Sequence, residues 1–80
     1  MAVQVARQPA KAGWGTEQVG ETAGTVWRCL QKLGKTNLRA VERQVGVPES
    51  MTHMAIGWLA REGKLDLRQD GRSVEVWLTE

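Results

Sequence analysis

The stretch PESMTHMAIGWLAREGKLDLRQDGRSVEVWL, residues 48–78, decides the fold. Its first half carries apolar residues at helical spacing and stops at Gly63, while its second half alternates apolar and polar residues on both sides of Asp70-Gly71. The spacing predicts a helix from Glu49 to Glu62, with Pro48 at or beside its cap and Glu49 in the first turn, where an acidic group suits the helix dipole. Two apolar stripes run along it: Thr52, Ala55, Ile56 and Leu59 form one, and Met51, Met54 and Trp58 the other. A domain this small can hardly bury both. One is therefore expected in the core and the other at least partly at the surface.

The hairpin expectation carries its own check. If Asp70-Gly71 is a two-residue loop, Gln69 faces Arg72, Leu67 pairs with Val74 and Leu65 with Val76, and all four apolar side chains share one side. The other side then sets Arg68 against Ser73, Asp66 against Glu75 and Lys64 against Trp77. Asp66 beside Glu75 is a like-charge pair, which makes that face a poor phosphate platform.

Upstream, Leu38–Val45 reads as a short helix with Leu38, Val41 and Val45 inward and Arg39, Glu42 and Arg43 on or near its outer side. Asn37 suits its N-cap, and Gly46-Val47-Pro48 is a turn of helix-turn-helix length. A first helix should start between Thr16 and Glu21 and end at Leu33, its stripe formed by Val19, Ala23, Val26, Trp27, Leu30 and Leu33. Gly24 within it costs about 1 kcal/mol against Ala, and a close helix crossing is the expected reason. The fold expected is mainly α with a small antiparallel sheet: a winged helix-turn-helix of three helices and a β-hairpin wing, with a short third strand at Lys35-Thr36. Residues 1–18 read as a flexible arm and 19–80 as the domain, with Val3, Val5 and Trp14 the arm residues able to dock on an apolar surface.

A chain of 80 residues buries about 60–65% of its unfolded surface, which leaves little stability to spend on an elaborate active site. Its net charge of +2 and pI near 9.1 permit phosphate contact without demanding it. Cys29 is the only cysteine, so neither an intramolecular disulfide nor a thiolate cluster can form, and it is expected as a small space-filling residue. Met1 to Lys11 lacks the apolar core of a secretory signal, and no apolar run is long enough to span a membrane, so a cytoplasmic location is expected. No nucleophile with a base, metal-ligand set or phosphate loop stands in the required context; Gly13-x-Gly15 stands in the tail, without the strand and helix context such a loop requires. A non-enzymatic domain with no cofactor, no metal and no evident small-molecule substrate is the expectation.

These residues resemble a family of small bacterial winged helix-turn-helix proteins of uncharacterised function. The likeness rests on Gly20-Glu21 with Ala23-Gly24 leading to Trp27, on Val45-Gly46-Val47, and above all on Gly57-Trp58-Leu59-Ala60-Arg61-Glu62-Gly63-Lys64, and it covers roughly residues 19 to 78. The resemblance implies the fold, and DNA binding as its expected use. Glu42 stands where helix-turn-helix units commonly carry a small residue, and Thr52 where the pattern favours an aliphatic one.

In such a fold the N-terminal part of the second helix of the motif enters the major groove. Candidate base contacts are Ser50, Thr52, His53 and Met54, with Glu49 and Gly57 alongside; none is Arg or Lys, which points to modest sequence specificity. Candidate phosphate contacts are Lys35, Arg39, Arg43, Arg68 and Arg72. The expected function is binding of double-stranded DNA, with transcriptional regulation as the process served. The competing expectation is a protein-interaction or homodimerisation module using Met51, Met54, Trp58 and Trp77, residue types enriched at interfaces.

Overall fold

A computed structural model describes residues 15–79. The element order is α1 (Thr16–Leu33), β1 (Thr36–Asn37), α2 (Leu38–Val45), α3 (Glu49–Arg61), β2 (Leu65–Asp70) and β3 (Ser73–Leu78). Val3, Val5 and Trp14 lie outside the described residues, whereas Thr16–Gln18, assigned above to the arm, form the first turn of α1. That turn is held by the Gly15 amide, which donates to Oε1 of Gln18 at 2.7 Å.

Each helix stops where its sequence changes character. Gly46, with φ +74 and ψ +21, ends α2 in the left-handed region that a residue without Cβ adopts at little cost. At the end of α3 the Lys64 amide donates to the Leu59 carbonyl at 2.9 Å and the Gly63 amide to Ala60 at 3.0 Å, the paired bonds of a Schellman motif around Gly63 at φ +76. Asn37 caps α2 by accepting from the Ala40 amide at 2.9 Å. Its backbone is extended, with φ −110 and ψ 162, so the same residue also ends β1. The third strand accordingly lies at Thr36–Asn37, one residue beyond the expected Lys35-Thr36.

The sheet order is β1-β3-β2, all antiparallel. The hairpin register differs from the expected one by two residues: Asp70 pairs with Ser73, Gln69 with Val74, Leu67 with Val76 and Leu65 with Leu78. The loop is Gly71-Arg72, with Gly71 at φ +65 in its first position. A slip of two keeps every side chain on its expected face, so the alternation could not detect it. The opposed carboxylates disappear: Arg68 now faces Glu75 and Asp66 faces Trp77.

The core gathers Ala23, Val26, Cys29 and Leu30 of α1, Val41 of α2, Ala55, Ile56 and Leu59 of α3, and Leu65 and Val76 of the sheet. Both stripes of α3 contribute buried residues, because Met51 is covered as well as Thr52. In exchange, three residues expected inside reach solvent. Trp27 and Leu33 of α1 are 36% and 42% exposed, and Leu67, on the inward side of the wing, lies beyond the core and is 42% exposed.

Candidate nucleic-acid interface

The exposed face of α3 is built by elimination. Once Met51, Thr52, Ala55, Ile56 and Leu59 turn inward, the face left to solvent carries Ser50, His53, Met54, Gly57 and Arg61, spaced by three and four residues. Thr52 is therefore no base contact: it is fully buried, and its hydroxyl finds no hydrogen-bond partner. The helical period had already placed it with Ala55 and Ile56. Arg61 was missed as a candidate, although it stands four residues beyond Gly57 and eight beyond His53 on the same face.

His53 is engaged within the fold, its Nε2 lying 2.6 Å from Oε2 of Glu42. This contact joins α3 to α2 across the turn, and gives Glu42 a task in the position where a small residue was expected. The Glu42 side chain is largely covered, while the imidazole stays about half exposed.

The five phosphate candidates divide into two groups. Arg39 and Arg72 meet across a groove of about 250 Å³ that Asn37, Leu38, Ser73 and Val74 complete. Arg43 follows Arg39 by one helical turn and is exposed on the same side of α2. None of the three has an acidic partner within 4 Å among the described residues. Lys35 and Arg68 behave differently, since both approach Oε1 of Glu75, at 3.7 and 3.9 Å. Lys35 also sits over the Trp77 ring, 4.7 Å from its centroid, where the ring quadrupole attracts the ammonium. Residues 15–80 hold nine basic and nine acidic side chains, so the net +2 of the chain comes from Arg7 and Lys11.

The expected Met and Trp interface is dispersed. Met51 is buried, Met54 is 47% exposed, and Trp58 lies half-buried on Gly20, whose Cβ position is 3.5 Å from the indole. Trp77 is half-buried beneath Lys35. Cys29 is buried as expected, and burial pushes its thiol pKa up against a smaller opposing pull from Lys32. No group of three or more metal-ligating side chains occurs among the described residues, and no helix there is long and apolar enough to cross a membrane.

Comparison with known proteins agrees with this architecture. An uncharacterized protein of the archaeon Methanocaldococcus jannaschii, MJ1608, is 39% identical over 62 residues, 74% of this chain and 84% of the relative. The solution NMR structure of BT2368 from Bacteroides thetaiotaomicron superposes with a TM-score of 0.70 at 31% identity, covering 78% of this chain and 76% of that one. A HOP2 structure, described in terms of DNA recognition and protein interaction domains, superposes with a TM-score of 0.63 at 21% identity over 71% of this chain and 97% of that one, a likeness of fold alone. The family model for the winged helix-turn-helix domain DUF2582 matches residues 15–78, and the chain belongs to that family.

Proposed function

We propose that this domain binds double-stranded DNA with modest sequence specificity and serves in transcriptional regulation. The observation that carries the reading is the meeting of Arg39 and Arg72 across one groove, with Arg43 a helical turn away and no carboxylate paired to any of them among the described residues. Two arginines lining one groove suit phosphate oxygens, and Asn37 and Leu38 at the start of α2 line it with them. The exposed face of α3 would then meet the major groove through Ser50, His53 and Met54, with Gly57 permitting close approach. HOP2, which shares the fold, is described as containing a DNA recognition domain.

Weak discrimination follows from the chemistry of that face. Ser50 and Met54 cannot form the bidentate contact to guanine that Arg makes, His53 already shares one ring nitrogen with Glu42, and Arg61 stands in the last turn of α3, away from the N-terminal part that enters the groove. The decisive measurement is an NMR titration with a mixed-sequence duplex at low salt. Amide shifts in α3, at the start of α2 and around Gly71-Arg72 are expected; a spectrum unchanged in these elements would remove the reading.

A further inference from the structure

The wing has one open side. In the order β1-β3-β2, strand β2 bonds to β3 alone, and nothing among the described residues pairs with its outer edge. Asp70 and Ser73 close a two-residue loop as a hydrogen-bonded pair, so the even-numbered residues of β2 bond to β3. One rung past the strand, the Thr79 amide donates to the Lys64 carbonyl in the same phase. The amides and carbonyls of Leu65, Leu67 and Gln69 therefore point outward. The Leu67 amide is met there by the carboxylate of its neighbour Asp66, which accepts at 2.9 Å. A side chain fills the place of a missing strand.

Exposed edges are commonly blunted by charge, since like side chains repel a second strand. Here Lys64, Asp66, Arg68 and Asp70 share one face, all of them exposed, and their signs alternate. Such a strand is complementary to itself. We propose that β2 pairs antiparallel with β2 of a second copy about a two-fold axis at Leu67, joining two wings into one continuous sheet. In this register Lys64 of each copy faces Asp70 of the other and Asp66 faces Arg68, so every charge on the face meets its opposite. The outward backbone groups match as well, Leu67 with Leu67 and Leu65 with Gln69. Leu67, which is 42% exposed, gains its own counterpart as cover.

No neighbouring register does this. A shift by one residue sets outward amides against inward ones and loses the ladder. A shift by two sets either Asp66 against Asp66 and Lys64 against Arg68, or Arg68 against Arg68 and Asp66 against Asp70. Both bring like charges together. Contacts within the domain leave this face able to pair. Asp66 and Asp70 have no ion-pair partner among the described residues, and Lys64 and Arg68 approach Glu62 and Glu75 only to 3.6 and 3.9 Å. The pairing draws on none of Arg39, Arg43 and Arg72, so it does not depend on the DNA reading.

The test is sedimentation equilibrium of the full chain over a wide concentration range, beside three variants. The native chain should form a reversible dimer. Arg68→Asp turns both central charge pairs into like pairs and should weaken the dimer by about tenfold or more. Asp66→Arg combined with Arg68→Asp restores the opposition and should recover most of that loss, which a folding defect would not. Leu67→Lys sets two ammonium groups at the axis and should leave a monomer. In a mixture of ¹³C-labelled and unlabelled chain, an isotope-filtered NOE should join Hα of Asp66 to Hα of Arg68 in the second copy, the closer kind of pair in an antiparallel ladder. A chain that stays monomeric at NMR concentrations overturns the proposal. So does a dimer indifferent to Arg68→Asp and Leu67→Lys, or one that the double variant fails to restore.

Discussion

Nε2 of His53 and Oε2 of Glu42 stand 2.6 Å apart, so the helix presented to solvent is tied to the helix behind it by a side-chain contact that bridges the turn. With the imidazole about half exposed, the pair is worth at most about 1 kcal/mol. A double-mutant cycle of Glu42→Ala and His53→Ala in urea should therefore return a small coupling energy, and a value of zero would reduce the contact to coincidence. On the DNA reading Glu42→Ala also removes a carboxylate beside the helix face and frees the ring, so affinity for duplex should rise several-fold, whereas His53→Ala removes a groove contact and leaves Glu42 without its partner, so affinity should fall. Fluorescence anisotropy at fixed salt checks both.

Thr52 offers the clearest gain in stability. Its hydroxyl is buried without a partner, and Val has almost the same shape without the polar atom. Thr52→Val should stabilise the domain by about 1–2 kcal/mol, the usual cost of an unsatisfied buried hydroxyl. Thermal unfolding followed by circular dichroism should show a higher midpoint, with duplex affinity unchanged because the side chain faces inward. A lowered midpoint would mean that the hydroxyl has a partner after all.

The salt dependence of binding separates the two basic groups. Arg39→Ala and Arg72→Ala should each reduce the slope of log K against log salt by about 1, because each guanidinium replaces a condensed counterion. Lys35→Ala and Arg68→Ala should reduce it less, since both cations already approach Glu75. Equal slopes for all four variants would show that the groove between Arg39 and Arg72 has no special part.

Gly71 tests the observed hairpin. At φ +65 any side chain is strained, so Gly71→Ala should cost about 1–2 kcal/mol, whereas Gly71→Asn should cost less, because Asn visits the left-handed region more readily. Asp70→Ala should cost little, since Asp70 ends β2 rather than occupying the loop. The reverse ranking of Asp70→Ala and Gly71→Ala in denaturant melts would restore an Asp70-Gly71 turn.

Cys29 should resist modification. Burial holds the thiol above its ordinary value of 9.0, which disfavours the reactive thiolate. The linkage sign follows: the folded state keeps its proton where the unfolded state loses it, so this contribution is fully present below pH 9 and is lost as pH rises through the folded value. Labelling by a disulfide reagent at pH 8 should be slow in buffer and fast in denaturant. Equal rates would place the sulfur at the surface.

The helices were legible from a periodic apolar stripe and a glycine at or just beyond the C-terminus, and most sharply at α2, where the capping residue Asn37 joins Val41 and Gly46. Register was not, since Gly71 can serve as either residue of a two-residue loop and both choices present the same faces. Trp27 was misplaced for a different reason. It lies on the edge of the α1 stripe, and whether an edge position is covered depends on neighbours far away in sequence. The basic residues were nameable one by one, but their division between the Arg39–Arg72 groove and the Glu75 carboxylate depends on the path of the sheet.

At the far end of the domain, Oγ1 of Thr79 donates to the Gly63 carbonyl at 2.7 Å and its amide to Lys64 at 3.2 Å. The last residue of the described chain is thus fastened to the corner where α3 gives way to the wing. Mechanically this stiffens the hinge, because the hairpin cannot swing about Gly63 without straining the Thr79 hydroxyl bond to the Gly63 carbonyl, while the amide bond to Lys64 carries the strand pairing one rung past Leu65 and Leu78. Helix and wing then behave as the two fixed jaws of a caliper, and a duplex gripped by both would have to fit its groove width to the gap.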